Sequence, residues 1–319
     1  MHFLIYDNRS GSTLTAALLN RFKGVDVTPE NDVPHKILEY SNELLESTEQ
    51  LEQFFDFIVR DTRFNELGIE PEIFWKELQR LELPASKESL LKLFINFYAA
   101  HKGTGASNLI LKSPNIYFHV DKLKQMFPGV KFIHVYRDGR AVYASKLRSW
   151  SNSGFYMASN PYTAAKIWKG KIDLLKRYDG ILNVRYESLL AETEETLAGV
   201  LDEIKVNHSD RELSKSQADY FKAIGQDQTH LHKNLEKKPD PKHLDKWKNE
   251  LKPEEVKVYE TEAKTVLEEM GYDLTTDANY HLLTFRFKLK HHLARVRNAF
   301  KYLLQGKLSQ KMKYQITKV

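Results

Sequence analysis

Four short apolar runs, each followed by polar residues and then by a helical pattern, constrain the fold of this chain more than any other feature. Continuous apolar runs of this length that alternate with helices indicate a parallel sheet with helices on both of its faces. We therefore expect one α/β domain of three layers around a central parallel sheet. The runs are HFLIYD (2–7), NLILKSP (108–114), KFIHVYRD (131–138) and ILNVRYESL (181–189).

Polar side chains stand at the carboxyl end of each predicted strand. In open parallel sheets, ligands bind in the crevice beyond these carboxyl ends. Because the four ends meet at one edge of the sheet, we expect the functional site there. The pairs are Asn8 and Arg9, Lys112 and Ser113, Arg137 and Asp138, and Arg185 and Tyr186.

Helical periodicity fills the roughly ninety residues between the first two strands, and we place a helical insertion at about 35–105. Such an insertion either shapes an acceptor pocket or lid over the strand ends or covers one face of the sheet. The sequence leaves both options open. The polar stretch at 225–244 is predicted to be a long loop. We expect a catalytic domain over 1–280 and a separate tail over 281–319.

The positive charge of the chain is concentrated in that tail. The net charge is +5, but residues 281–319 hold ten Lys or Arg and no Asp or Glu, which leaves 1–280 with a net charge of about −5. A mildly acidic body argues against nucleic acid as a partner, since nucleic-acid-binding domains spread positive charge over one face.

The tail itself has the pattern of an amphipathic basic helix. Such a helix fits an anionic membrane or other polyanion, an acidic acceptor, an oligomer contact, or packing of its apolar stripe on the chain's own domain. Of these, packing on the chain's own domain is the one we expect first, and the sequence does not define an oligomeric state. The stripe consists of Leu289, Leu293, Val296, Phe300, Leu303 and Leu304.

Several absences bear on location and chemistry. The sequence has no cysteine, which excludes disulfides and thiolate metal sites. The first residues, MHFLIYD, are too short and uncharged for a signal peptide, and no later apolar run could span a bilayer. We therefore expect a cytoplasmic protein. The HLHK cluster at 230–233 has no accompanying carboxylates, and we expect no metal.

The turn after the first strand has the composition of a P-loop-like phosphate cradle. Ser10, Gly11, Ser12 and Thr13 lead into a helix whose first N–H groups and dipole attract anions. In the common nucleotide-hydrolysing loop a lysine precedes the Ser or Thr, but here Ser12 holds that position. Arg9 supplies positive charge instead. Phosphoryl transfer assisted by Mg²⁺ is therefore poorly supported.

A second segment, VYRDGRAVYAS, offers a partner for this loop. Arg137 ends a strand, and Ser145 follows eight residues later in the next helix. A guanidinium and a hydroxyl in this arrangement can grip one phosphate from two directions. Arg140 either adds to this grip or pairs with Asp138.

Together, RSGSTLTAALL and RDGRAVYAS resemble the two phosphate-binding signatures of sulfotransferases that use 3′-phosphoadenosine 5′-phosphosulfate (PAPS). The similarity to that family extends over three further segments, so it covers most of 1–274. They are LKSPNIYFHVDKLKQMFPGVKFIHVYRDGR, VRYESLLAETEETL and KKPDPKHLDKWKNELKPEEVKVYETEAKTVLEEMGYDL. It implies that the first loop holds the 5′-phosphosulfate and that Arg137 and Ser145 hold the 3′-phosphate. No lysine of the nucleotide-hydrolysing type and no Mg²⁺ are then needed.

The resemblance also implies other contacts to PAPS. Leu14 belongs to the loop with Arg9, Ser10, Gly11, Ser12 and Thr13, and Tyr186 matches a family position that packs near the nucleotide. The stretch around Lys238 and Trp247 closes over the cofactor in the family, so these two are candidates for contacts to phosphate and adenine. The alternative to packing near the nucleotide is that Tyr186 is an ordinary half-buried aromatic residue at the end of a strand.

Sulfuryl transfer to an alcohol needs a base for the acceptor proton and cations for the charge on the departing phosphate. For the cations we select Arg9 and Lys112, because the family carries a catalytic lysine at the position of Lys112. The alternative for Lys112 is a surface lysine at a strand end.

The base is the point at which the sequence departs from one branch of the family. The cytosolic branch uses a histidine two residues after the lysine, and Pro114 stands there. The chain resembles instead the branch that includes tyrosylprotein and bacterial sulfotransferases, where a glutamate follows the first helix, and Glu30 holds that place. A solvated loop carboxylate is the alternative for Glu30. His35, His119 and His134 are weaker candidates, and His134 fits a core residue better.

We therefore expect a sulfotransferase that moves the sulfuryl group of PAPS to a hydroxyl and releases 3′,5′-adenosine bisphosphate. The acceptor is expected to be a carbohydrate or another small alcohol. A protein tyrosine is disfavoured, because enzymes that modify tyrosine are secretory. A non-catalytic nucleotide-binding or scaffold protein with the same fold is the rival, and a P-loop kinase is a weaker one.

Overall fold

A computed structural model describes residues 1–102, 108–153, 160–208 and 241–304 of the chain. The chain divides into two compact units. The first comprises Met1–Arg137 and Asp173–Leu244, and the second comprises Asp138–Ile172 and Asp245–Val319. The predicted extent of a catalytic domain over 1–280 stays a prediction.

The strands of the described chain form one large sheet and one short pair. Four of them lie within the four predicted apolar runs. In chain order they are β1 (His2–Tyr6), β2 (Val25–Val27), β3 (Leu44–Leu45), β4 (Ala85–Ser86), β5 (Asn108–Lys112), β6 (Phe132–Tyr136) and β7 (Ile181–Arg185).

The large sheet lies in the first unit and confirms the predicted α/β fold class. Its order is β2-β5-β1-β6-β7, and every neighbouring pair is parallel. The edge strand β2 was not predicted, because three residues with Asp26 in the middle give no recognisable apolar run. β3 and β4 form a separate antiparallel pair within the insertion.

Helices follow the strands as the alternation predicts. Those before the second compact unit are α1 (Ser12–Leu19), α2 (Val33–Glu39), α3 (Thr48–Val59), α4 (Thr62–Glu66), α5 (Pro71–Leu78), α6 (Lys87–Lys102), a 3-10 turn (Ile116–His119) and α7 (Val120–Met126). The later helices are α8 (Gly139–Ser153), α9 (Pro161–Leu175), α10 (Tyr186–Ala191), α11 (Thr193–Glu203), a second 3-10 turn (Pro241–Lys246), α12 (Trp247–Glu250), α13 (Pro253–Glu269) and α14 (His281–Leu304).

Alternate side chains of β1 enter two different apolar cores, which makes the first unit three layers deep. Phe3 and Ile5 belong to a core shared with α2, α3, α5 and α6 of the insertion. Leu4 and Tyr6 belong to a core shared with α1 and α11. The insertion therefore covers one sheet face, which is the simpler of its two expected roles.

Within the described residues, no helix is long and apolar enough to cross a lipid bilayer.

Candidate active site

The loop that joins β1 to α1 has the backbone shape of an anion site. Arg9 and Gly11 adopt φ angles of 75° and 95°, in the left-handed region that is unfavourable for a residue with a side chain. The first N–H groups of a helix have no acceptor within the helix, and the residue before α1, Gly11, gives them no side-chain cap. These donors and the helix dipole favour a phosphate at this edge of the sheet.

The remaining residues predicted for this loop are held close to it. The N–H of Ser10 donates to the carbonyl oxygen of Asp7 at 3.1 Å, which closes the turn. Ser12, Thr13 and Leu14 form the first turn of α1 and are buried. The loop is therefore a fixed part of the first unit.

Tyr186 connects this loop to the strand-end arginine. A side chain at position 11 would collide with the Tyr186 ring, which explains why Gly11 is needed there. The Arg137 guanidinium lies 4.7 Å from the centroid of the same ring. Burial raises the pKa of the Tyr186 hydroxyl, while the charges of Arg137 and Arg9 oppose that shift. The loop, Tyr186 and Arg137 thus form one continuous surface in the first unit.

Lys112 is a buried cation at the carboxyl end of β5. Its side chain is only 1% exposed, and Nζ donates to Thr13 Oγ1 at 3.1 Å. The same Nζ lies 3.8 Å from Glu30 Oε2. Burial lowers the pKa of the Lys112 ammonium, and the Glu30 carboxylate opposes that shift. The surface-lysine alternative is therefore wrong.

Glu30 reaches this point because β2 runs parallel to β5 and ends at the same edge of the sheet. Just after β2, Thr28 Oγ1 accepts from the Lys112 backbone N–H at 3.0 Å, which ties the two strand ends together. Glu30 Oε2 then accepts from the Tyr6 hydroxyl at 2.5 Å. The Glu30 side chain is 16% exposed, so it is partly enclosed, unlike a freely solvated loop carboxylate.

Arg63 is a site residue that the sequence did not reveal. It lies on α4 of the insertion, and its Nη2 is 3.2 Å from Glu30 Oε1. Its Nη1 also donates to Asp32 Oδ2 at 3.0 Å. No motif marks this arginine, and only the packing of the insertion brings it to the strand ends. The insertion thus contributes a contact to Glu30 as well as a cover for the sheet.

A partly enclosed carboxylate, a buried ammonium and a row of helix N–H groups therefore lie at one sheet edge. A carboxylate in this setting can take a proton from a hydroxyl group. The ammonium and the N–H groups can stabilise charge that develops on a phosphate oxygen. The arrangement suits transfer of a group from a phosphate oxygen to an alcohol.

The three weaker histidine candidates lie in two places. His134 lies within β6, and its Nδ1 is 3.0 Å from Asn183 Oδ1 on β7, as expected for a core residue. His35 Nδ1 and His119 Nε2 lie 3.0 Å apart, where α2 meets the 3-10 turn.

Arg140 belongs to a buried ion-pair group of the second unit. It bonds Asp138 at 2.8 Å and Glu260 at 2.5 Å, so of its two expected roles it takes the pairing with Asp138. Ser145 is buried in α8. Trp247 is buried at the start of α12, and the Arg140 guanidinium lies 4.2 Å from its ring centroid. Lys238 lies outside the described residues. The contacts of these last three to PAPS stay predictions.

A family model described as the sulfotransferase family matches residues 5–210, which is more than half of the chain. The chain therefore belongs to the sulfotransferase family, as the two phosphate-binding signatures predicted. The match includes the loop after β1, Glu30, Lys112 and Arg137. The family and the fold support a sulfotransferase enzyme.

Two solved structures share this fold. The sulfotransferase domain of the olefin synthase from Synechococcus PCC 7002 is 22% identical with a TM-score of 0.56, and the alignment covers 86% of this chain and 95% of that one. The sulfotransferase domain from the curacin biosynthetic pathway is 19% identical with a TM-score of 0.54, over 86% of this chain and 98% of that one. Comparison with curated protein sequences gives no match.

Proposed function

We propose that this sulfotransferase transfers the sulfuryl group of PAPS to a hydroxyl of a carbohydrate or another small-molecule acceptor. One observation carries the proposal: Glu30, Lys112 and the loop after β1 meet at the carboxyl edge of the parallel sheet. This reaction needs a base, a cation and a phosphate site, and we assign these roles to Glu30, Lys112 and the loop, which come from distant parts of the sequence.

In the proposed reaction, Glu30 takes the proton of the acceptor hydroxyl. The acceptor oxygen then forms a bond to sulfur, and the bond between sulfur and the bridging phosphate oxygen breaks. The electron pair of that bond stays with 3′,5′-adenosine bisphosphate, which leaves. Lys112 and Arg9 stabilise the negative charge that builds on this leaving group.

We assign the donor site to the surface that runs from the loop to Arg137. Ser10, Gly11, Ser12, Thr13 and Leu14 would hold the 5′-phosphosulfate, and Tyr186 would pack beside the nucleotide. Arg137 would pair with the 3′-phosphate, and Ser145, Trp247 and Lys238 would complete the site. The absence of a lysine at Ser12 disfavours a kinase that acts through Mg²⁺.

A non-catalytic nucleotide-binding or scaffold protein remains the rival function. It would keep the phosphate loop but would have no use for a carboxylate next to a buried lysine. The pairing of Glu30 with Lys112 favours catalysis, because an enclosed ion pair costs desolvation energy that a binding module need not spend. A protein tyrosine stays the disfavoured acceptor, and a cytoplasmic location stays a prediction.

We also propose that α14 binds an anionic lipid surface. The helix packs on its own unit with Thr284 buried, whereas Leu282, Phe285, Leu289 and Leu293 are exposed. For Leu289 and Leu293 this observation contradicts packing of the stripe on the chain's own domain. The helix carries no Asp or Glu, so a second copy would meet it with like charge, whereas anionic headgroups complement it.

The donor is tested by thermal unfolding in the presence of nucleotides. Specific binding to the native state raises the melting temperature, so 3′,5′-adenosine bisphosphate should raise it without added Mg²⁺. ATP with Mg²⁺ is the matched comparison and should produce a markedly smaller shift. A larger shift with ATP would contradict PAPS as the donor.

A further inference from the structure

Three side chains near the start of the insertion bring nitrogen and oxygen atoms to one point. They are His35 and Glu39 on α2 and His119 at the end of the 3-10 turn. One donor atom from each lies within 4.8 Å of the other two. His35 and Glu39 are four residues apart on one helix, so they share a face and can reach the same atom.

Two of the three separations between these atoms match those of ligands around a small metal ion. His35 Nδ1 lies 3.0 Å from His119 Nε2, and His119 Nε2 lies 3.2 Å from Glu39 Oε1. A tetrahedral zinc ion with bonds of about 2.0–2.1 Å holds its ligands about 3.3 Å apart. The third separation, between His35 and Glu39, is no more than 4.8 Å, so this pair would have to close by up to about 1.5 Å to seat an ion.

The arrangement also places two partners on one ring nitrogen. His119 Nε2 faces both His35 Nδ1 and Glu39 Oε1. In a neutral imidazole each nitrogen is either a donor or an acceptor, and the carboxylate can only accept. If His119 Nε2 is protonated, its single proton must be shared between His35 Nδ1 and Glu39 Oε1. If His119 Nε2 is not protonated, its lone pair faces the Glu39 carboxylate, which repels it. A cation removes this conflict, since it accepts a lone pair from all three atoms.

A second carboxylate, Asp32, lies near the group. It is near enough to His35 for the two to interact electrostatically, and its own charge is paired with Arg63 at 3.0 Å. Asp32 is held by Asn115 Nδ2 at 3.2 Å, at the start of the 3-10 turn. The segments that begin at Asp32 and Asn115 are thus joined at one end by this contact. At the other end they are joined by the group formed by His35, Glu39 and His119.

We propose that His35, Glu39 and His119 bind a divalent metal ion of the zinc class. Two imidazoles and one carboxylate are a ligand set that zinc accepts, with a fourth position left for water. Among divalent ions, nitrogen-rich sites of this kind bind Zn²⁺ far better than Mg²⁺ or Ca²⁺. The ion would join α2 to the 3-10 turn and so stabilise the two segments that follow Glu30 and Lys112.

The test is calorimetric titration of Zn²⁺ into chelator-treated full-length protein, at a pH where the imidazoles are neutral. We expect one binding event that weakens by at least tenfold in His35→Ala, Glu39→Gln and His119→Ala, since even outer-shell partners of a metal contribute 10–100-fold. His101→Ala on α6 is the matched control, because His101 is exposed and outside the group; it should bind as the unaltered protein does. Co²⁺ should give the visible absorption of a tetrahedral site in the unaltered protein and in His101→Ala.

His119 is buried, so its variant is read only if circular dichroism shows a native fold. His35 and Glu39 are less buried, so their variants test the proposal if the His119 variant does not fold. Unchanged Zn²⁺ affinity in folded His35→Ala and Glu39→Gln would overturn the proposal, as would absence of binding in the unaltered protein. Neither result depends on sulfuryl transfer, so the proposed function stands or falls separately.

Discussion

Replacement of Glu30 by glutamine removes the proposed base while it preserves the shape of the site. Glutamine keeps the size of the side chain and an oxygen that can accept from the Tyr6 hydroxyl, now 2.5 Å from Glu30 Oε2. It cannot take up a proton from an acceptor. We expect the rate of sulfuryl transfer to fall by about 10²–10⁴, which corresponds to about 3–5 kcal/mol of barrier height.

The same change also removes a negative charge beside two cations. Arg63 Nη2 lies 3.2 Å and Lys112 Nζ lies 3.8 Å from the Glu30 carboxylate. Their uncompensated charge should attract the phosphosulfate, so PAPS affinity should remain close to that of the unaltered enzyme. The free energy of unfolding should decrease by on the order of 1–3 kcal/mol, because buried donors lose a charged partner.

Asp32→Asn is the matched control for this variant. Asp32 also accepts from Arg63, at 3.0 Å, and the substitution likewise exchanges a carboxylate for an amide. We expect it to lower stability without a comparable loss of rate. The assay is single-turnover transfer from PAPS across pH, on an acceptor identified by screening. A folded Glu30→Gln enzyme that transfers at the unaltered rate would refute the role of Glu30 as base.

Four further results follow from the described contacts. Arg137→Ala should weaken 3′,5′-adenosine bisphosphate in calorimetry by about 1.5–3 kcal/mol and Ser145→Ala by about 1 kcal/mol; unchanged binding in Arg137→Ala would exclude the two-sided grip. Gly11→Ala should abolish bisphosphate binding in the same titration, because its φ is 95° and its side chain would meet an aromatic ring; normal binding would contradict the loop geometry. Deletion of 281–319 should preserve transfer to a small acceptor and reduce sedimentation with anionic vesicles. If the deletion weakens only the binding of a polyanionic acceptor, that acceptor is the partner of the tail; if the shortened protein unfolds, the tail is part of the core. Burial lowers the pKa of His2 from its usual 6.5 to about 4, so the neutral imidazole stabilises the fold fully above pH 6.5. Chemical denaturation should show the free energy of unfolding falling as the pH decreases from 6.5 to about 4. This fall should be smaller in His2→Asn.

The sequence predicts those parts of the site that depend on strand ends. Lys112 and Arg137 each follow a recognisable apolar run, and the ends of parallel strands meet at one edge. The turn at Gly11 was predictable because small residues at the start of a helix leave its N–H groups available. These features are local in sequence, and hydrophobic periodicity is enough to locate them.

The missed parts depend on contacts between distant segments. β2 is too short to give an apolar pattern, yet its pairing with β5 brings Glu30 to Lys112. Arg63 looks like any other arginine of an amphipathic helix until the insertion packs on the sheet. His35 and His119 are 84 residues apart, and their contact depends on how α2 meets the 3-10 turn.

Sulfuryl transfer by this protein is measured most directly with radiolabelled PAPS and a panel of carbohydrates and small alcohols. The panel should include a tyrosine-containing peptide, and Lys112→Ala should be assayed in parallel. We expect metal-independent transfer to at least one hydroxyl acceptor and a much lower rate in Lys112→Ala, which removes positive charge beside the departing phosphate. Tight binding of PAPS without transfer to any acceptor, or transfer at an unchanged rate in Lys112→Ala, would contradict the proposed function.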